Sequence, residues 1–421
     1  MTEPLIERPA SPPTSFARLR ADFGATYAAN GLIGFIFAAT GPVAVILSVG
    51  TRGGLSQAEL ASWIFGAFFL NGFLTLAACW LYRKPLAFFW TIPGTVLVGP
   101  ALQHLSFQQV VGAFIATGLL MLLLGLSGWV RRAMALAPMP IVMGMVAGVF
   151  LRFGIDLVHA LRDDPWVALP MVALFLVLSA RPALGRRLPP MIGALSVGAV
   201  AVALSGRFDA GGAAAQWLAL PVLQAPQWSW QAMVELVVPL AITVLVVQNG
   251  QGVAVLKSAG HSAPVNAVTI ACGAWSVLTA FVGTVSTCLT GPTNAILASS
   301  GERERHYVAG IVVALLAILF GLFAPLFAQL MLASPPAFIA TLAGLAMLRV
   351  LQASFVTAFG GHFTLGALVT FVVTVADLTL LNIGAAFWGL VAGFAVSWWL
   401  ERGDFEAMQA AARAAEASAR P

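Results

Sequence analysis

Charge is scarce in this chain. Asp, Glu, Lys and Arg make up 9% of its 421 residues, and 60% are hydrophobic. A soluble domain carries about 25% charged and 45–50% apolar residues. With a mean hydropathy of +0.93, the composition excludes a soluble fold and indicates a polytopic membrane protein. Long polar stretches are missing too. The N-terminal tail to Asp22, the loop around Arg207–Trp230 and the tail after Glu401 are each too short for an independent domain. The net charge of +5 therefore reports membrane orientation rather than an acidic partner. The run Glu302-Arg303-Glu304-Arg305 is mixed in sign and reads as a solvated loop, so no nucleic-acid partner is expected. Cys79, Cys272 and Cys288 are too few and too dispersed for a disulfide framework or a metal site, and read as small core residues. No signal peptide is expected, because Arg8, Arg18 and Arg20 sit among prolines with no apolar core before Phe23.

Catalytic signatures are equally missing. There is no G-x-x-x-x-G-K-[ST] phosphate loop, no HExxH and no GxSxG. His104, His159, His261, His306 and His362 are scattered, mostly near span ends. An enzyme is excluded on these grounds, and no cofactor or metal is expected.

Apolar runs and their breakers predict about 14 spans, each needing about 20 residues. They cover 24–50, 57–81, 86–103, 108–129, 139–160, 165–180, 188–205, 231–256, 263–284, 286–299, 306–331, 337–353, 363–380 and 383–400. With both termini cytoplasmic, 17 of the 21 Lys and Arg residues fall inside. Only Arg52, Arg152, Arg162 and Arg207 fall outside, which fits the positive-inside rule.

The chain also echoes itself. Gly41-Pro42-Val43-Ala44-Val45-Ile46-Leu47 matches Gly250-Gln251-Gly252-Val253-Ala254-Val255-Leu256. Pro140, Ala147-Gly148 and Leu151-Arg152 match Pro336, Ala343-Gly344 and Leu348-Arg349. Duplication of a seven-span unit follows, and an odd span count forces the copies into opposite orientations. Two further matching stretches, Thr91-Ile92-Pro93-Gly94-Thr95 and Thr290-Gly291-Pro292-Thr293-Asn294, break short apolar spans. Such breaks survive in lipid only beside protein or a water-filled cavity. In corresponding places of two halves, they point to a transporter's midplane site for an anionic or polar ligand.

Gln248-Asn249-Gly250-Gln251-Gly252, Thr290-Gly291-Pro292-Thr293-Asn294-Ala295 and Gly384-Ala385-Ala386-Phe387-Trp388-Gly389 resemble the benzoate:proton symporter family, BenE, over roughly residues 20–400. The arrangement is also similar to the uracil-permease fold. The resemblance implies an all-α polytopic protein of two inverted seven-span repeats, 23–205 and 231–400. These are flanked by tails 1–22 and 401–421 and joined by an extracellular loop, 206–230. It implies a core of spans 1–4 and 8–11, a gate of spans 5–7 and 12–14, and short strands before half-helices in spans 3 and 10. It further implies symport of benzoate or a related aromatic acid with a proton across a bacterial inner membrane. A homodimer is possible on this fold, although the sequence carries no interface signature.

Candidate substrate residues follow from both lines. Backbone N–H groups at Gly94, Thr95 and Gly291 are placed to hold a carboxylate, with side-chain bonds from Thr290, Thr293 and Asn294. Gln248, Asn249 and Gln251 are three amides in lipid and need partners; the 248/251 pair shares a helical face. Thr40 is the only polar candidate at the equivalent place in span 1. Phe88, Phe89 and Trp90 lead into the first break, where Phe89 offers an aromatic face. Glu235 and Asp377 are proton-coupling candidates. Asp377 reads as lying deep in span 13, within reach of Arg152 or Arg349, and Asp156 as pairing with Arg152 one turn before it. Two other readings stay open. A nucleobase:proton symporter is disfavoured by amides where acids are expected. A passive anion channel differs in being unable to concentrate its substrate.

Overall fold

The computed structural model describes residues 6–9, 11–130, 138–185, 188–208, 216–299 and 301–408. Arg131, Arg132, Arg186, Arg187, Arg413 and Arg420, used above for orientation, lie outside the described residues. Seven helices are long and apolar enough to cross a membrane: Ala25–Arg52, Gln57–Tyr82, Phe107–Ser127, Met139–Asp163, Trp230–Ser258, Arg303–Leu322 and Pro336–Phe359. Shorter apolar helices cover Ile92–Ala101, Pro165–Ala180, Pro190–Ser205, Val265–Ala280, Thr364–Val375 and Ala385–Leu400.

Two sets of helices each pack chiefly among themselves. Phe107–Ser127 lies along Val265–Ala280, and the helix from His306 to Leu322 packs on Ala25–Ala39 and Asn71–Tyr82. In the other set, Pro336–Phe359 lies along Met139–Asp163, which also meets Thr364–Val375. The sets touch where Gly41–Arg52 meets Pro336–Phe359 and where Ile92–Ala101 meets Met139–Asp163.

Several boundaries differ from the sequence reading. Span 1 is broken at Thr40, whose φ and ψ of −98° and −93° end one helix, and Gly41-Pro42 starts the next. Proline suits a first helical turn because that turn's N–H groups have no partner within the helix. The matching echo differs: Asn249 and Gly250 keep helical backbone, and the helix there only passes from a π-helical turn into the α-helical segment Gly250–Ser258. Span 11 stops at Leu322, and Ala324–Leu332 is a separate helix. Span 13 ends at Val375; left-handed backbone at Asp377, Leu381 and Asn382 turns the chain towards Ala385–Leu400.

The described part of the N-terminal segment is bound to the helices. Glu7 accepts from the backbone N–H groups of Asn266 and Ala267 at 3.1 and 2.9 Å, capping Val265–Ala280. Thr14 and Asp22 both bond the Tyr307 hydroxyl. The 216–229 stretch is held similarly, with Gln224 N–H donating to Phe281 O and Gln227 N–H to Gln108 O.

Candidate functional site

The two predicted breaks meet at the centre of the first helix set. Phe88–Trp90 (β1) and Thr287–Leu289 (β2) pair antiparallel, with Phe88 opposite Leu289 and Trp90 opposite Thr287. Thr91 N–H donates to Ser286 O and Thr290 N–H to Ala87 O, so the pairing extends beyond each strand. A half-helix leaves each strand, Ile92–Ala101 from β1 and Gly291–Leu297 from β2. Both carry proline at the second helical position, where no N–H is needed. Their caps differ. Thr91 Oγ1 accepts from Gly94 N–H at 3.1 Å, whereas Thr290 makes no such bond.

Two of the predicted ligand amides hold this crossing together. Asn294 Oδ1 accepts from Ala87 N–H at 2.9 Å, and its Nδ2 donates to Thr290 O at 2.6 Å and Ala87 O at 3.3 Å. Asn249 Oδ1 accepts from Leu289 N–H at 2.7 Å. Both side chains are buried and spent within the protein, Asn249 Nδ2 donating to Cys272 Sγ. Thr40 and Thr95 likewise donate to helix carbonyls, those of Ile36 and Thr91. Gly94 is packed against Leu240. Gln251 is exposed rather than sharing Gln248's buried face, and its stem covers Gly291. The cause is local: Thr243–Asn249 is a π-helical turn, whose extra residue changes the face each position presents.

A small cavity remains beside the crossing, lined by Phe37, Phe89, Trp90, Gln248, Thr290 and Thr293 among others. About 20 Å³ of it is open to the centre of a water molecule, room for roughly one water. Three of its lining residues carry a buried polar atom with no hydrogen-bond partner: Trp90 Nε1, Gln248 Oε1 and Thr290 Oγ1. Such atoms cost about 1–3 kcal/mol each when left unmade, and three of them lie together at this crossing. Phe89 adds an aromatic face and stacks edge-on against Phe68 with ring centres 5.5 Å apart. The sequence reading missed Phe37; nothing distinguishes it among 28 phenylalanines.

The acidic candidates separate. Glu235 is buried and lies 2.8 Å from His104 Nε2. Asp377 is not deep in a span: it sits in the turn after Val375, half its side chain exposed, 3.2 Å from Arg152. Asp156 pairs with Arg52 at 2.7 Å rather than with Arg152. Nor are the histidines isolated, because His261 and His306 approach to 3.1 Å and His362 bonds Asp404. Among the described residues, no three His, Cys, Asp or Glu side chains are grouped to hold a metal ion.

The histidine pair gives a pH prediction. Burial, then the charges of His306, Lys84 and Arg303, push His261 down to about 4 from an ordinary 6.5. The unfolded chain takes up this proton as pH falls through 6.5, while the folded chain does not until about 4. Stability is therefore lost as pH drops through that window. Melting temperature in detergent should decline across it, and His261→Gln should flatten the decline. An unchanged slope would remove His261 as its source.

Comparison with known proteins agrees with this architecture. The family model described as "Benzoate membrane transport protein" (BenE) matches residues 21–398. The inner membrane protein YdcO of Escherichia coli is 29% identical over 367 residues, covering 86% of this chain and 93% of its own. The benzoate membrane transport protein of Acinetobacter baylyi is 27% identical over 391 residues, covering 90% and 96%. Among solved structures, the transmembrane domain of a cyanobacterium bicarbonate transporter, BicA, superposes with a TM-score of 0.61 at 18% identity, over 91% of this chain and 99% of its own. SLC26A9 gives 0.63 at 15% identity, over 87% and 64%. These two likenesses show a shared fold. The family match spans nearly all of the membrane helices, both strands and the cavity between them: the chain belongs to the BenE family of benzoate membrane transport proteins.

Proposed function

We propose that this protein imports benzoate, or a related aromatic carboxylate, together with a proton. The observation that carries this reading is the cavity at the strand crossing, where unpartnered polar atoms on Trp90, Gln248 and Thr290 sit beside the Phe89 ring. A carboxylate is an acceptor only. The Trp90 indole N–H, the Thr290 hydroxyl and, after rotation of its amide, Gln248 Nε2 supply donors suited to it, while Phe37 and Phe89 suit its ring. The family and the Acinetobacter relative's name support benzoate as the substrate.

In this reading the short helices and both half-helices complete 14 spans in two inverted seven-span repeats. The set holding the strands is the core, the other set is the gate, and both termini face the cytoplasm. The cavity is too small for an aromatic acid, so loading requires the core to move against the gate. Asn249 and Asn294 shape the site without touching substrate. Of the proton-coupling candidates, Glu235 is favoured by its burial over Asp377, which has a surface partner.

Uptake of labelled benzoate into proteoliposomes tests the proposal. Under an inward proton gradient, uptake should exceed equilibrium, collapse with a protonophore and be blocked by excess benzoate but not by uracil. Uptake that only equilibrates would replace it with a channel; inhibition by uracil would replace it with a nucleobase carrier.

A further inference from the structure

Glu235 sits in a π-helical turn, Met233–Val237, close to the Trp230 end of its span. The elements packed closely on that turn are Ile92–Ala101, Phe107–Ser127 and Ala385–Leu400, with the flanking turns of its own helix, Trp230–Ala232 and Val238–Ile242. None of them contains Asp, Glu, Lys, Arg or His. Among the described residues, the single titratable group brought to Glu235 is His104, from the turn after the first half-helix, with Nε2 2.8 Å from Oε2. Asp377 is held by Arg152, and Arg52, near His104 in the fold through the Gln103 bond to its carbonyl, is held by Asp156.

A third contact comes from the other helix set. The backbone of Gly384, just before Ala385–Leu400, lies against the same carboxylate. A Cβ at position 384 would run into Glu235 Oε1. Glycine is what lets that backbone come close. The carboxylate thus ties together the first half-helix's end, the long span that carries Gln248, and the opening of the last gate helix.

We propose that Glu235 and His104 together hold the transported proton, and that Gly384 closes the gate onto them when the pair is loaded. This rests on the reading of the chain as a proton symporter. The physical reason is charge. With one proton the pair is an imidazolium and a carboxylate, or their neutral forms, with zero net charge and a satisfied hydrogen bond. Without it a single carboxylate is left among apolar helices, an arrangement that burial strongly disfavours. The loaded pair therefore tolerates closure, and the unloaded pair draws the gate open to water. One proton enters the pair from the solution on the loading side and leaves it to the solution on the other. His104 shares this proton with Glu235 and sets the pH at which the pair loads.

The test compares wild type, Glu235→Gln and His104→Gln in proteoliposomes, by gradient-driven benzoate accumulation and by benzoate exchange at equal pH. Glu235→Gln should lose accumulation above equilibrium yet still exchange benzoate, since exchange needs no net proton movement. His104→Gln should shift the pH dependence of uptake. Accumulation by Glu235→Gln at the wild-type level, or an unshifted profile for His104→Gln, overturns the proposal. If Glu235→Gln does not fold, the pH profile of His104→Gln decides. Wild type that fails to accumulate benzoate at all would instead bring down the symporter reading, and this proposal with it.

Discussion

Asn294→Ala should destabilise the protein severely. The side chain answers Ala87 N–H in front of β1 and donates twice to backbone carbonyls. Alanine leaves the Ala87 N–H buried without a partner, and Ala87 itself is fully buried. Such an orphan costs about 1–3 kcal/mol, and the two lost donations add about 1 kcal/mol each. The total is large against a typical margin of roughly 5–15 kcal/mol. A thermal melt in detergent should show a much lower transition or no folded protein. Any fraction that folds should bind benzoate nearly as wild type does, since no polar atom of Asn294 is left over for a ligand. A stable variant with weakened binding would return Asn294 to the role its sequence position suggested.

That role shows what the sequence made legible and what it did not. The two breaks were readable, because a bilayer tolerates Gly, Pro and Thr together inside a short apolar run only where protein or water covers the freed backbone. The partner of each amide was not. Asn249 and Asn294 had to be satisfied by something, but a substrate and a strand backbone offer an amide equally good partners. Which of them it meets depends on a register set between residues some 200 positions apart, in strands of three residues with no periodicity of their own. Asp377 was misplaced for a related reason. Leu378, Leu380 and Leu381 prolong the apolar run, while the left-handed residues that end the span carry no glycine to announce it. The break at Thr40 was foreshadowed by Gly41-Pro42, a good helix start, yet the unbroken hydropathy around it hid the kink. His104 and Glu235 are 131 positions apart, and their pairing follows only from the packing of spans.

Gln248→Ala and Thr290→Val should do the opposite of Asn294→Ala: keep the fold and lose the ligand. Gln248 Oε1 and Thr290 Oγ1 are buried with no partner, so the substrate-free protein gives up no hydrogen bond when they are removed. Deleting such atoms relieves a penalty, and the melting temperature without ligand should stay level or rise. Thr290→Val is the sharper of the two, because it keeps the shape and discards only the hydroxyl. Binding should suffer, since a hydrogen bond to a charged acceptor is worth about 1.5–3 kcal/mol. At about 1.4 kcal/mol per decade, that corresponds to a loss of roughly 10- to 100-fold in benzoate affinity. Isothermal titration beside the melting curves would read both effects in the same samples. Unchanged affinity in both variants would remove the cavity from the binding site, and the donors of the half-helix backbones would have to hold the carboxylate without them. Stability and affinity moving apart would mean that the protein keeps these atoms unpaired for the anion, at a cost to its resting state.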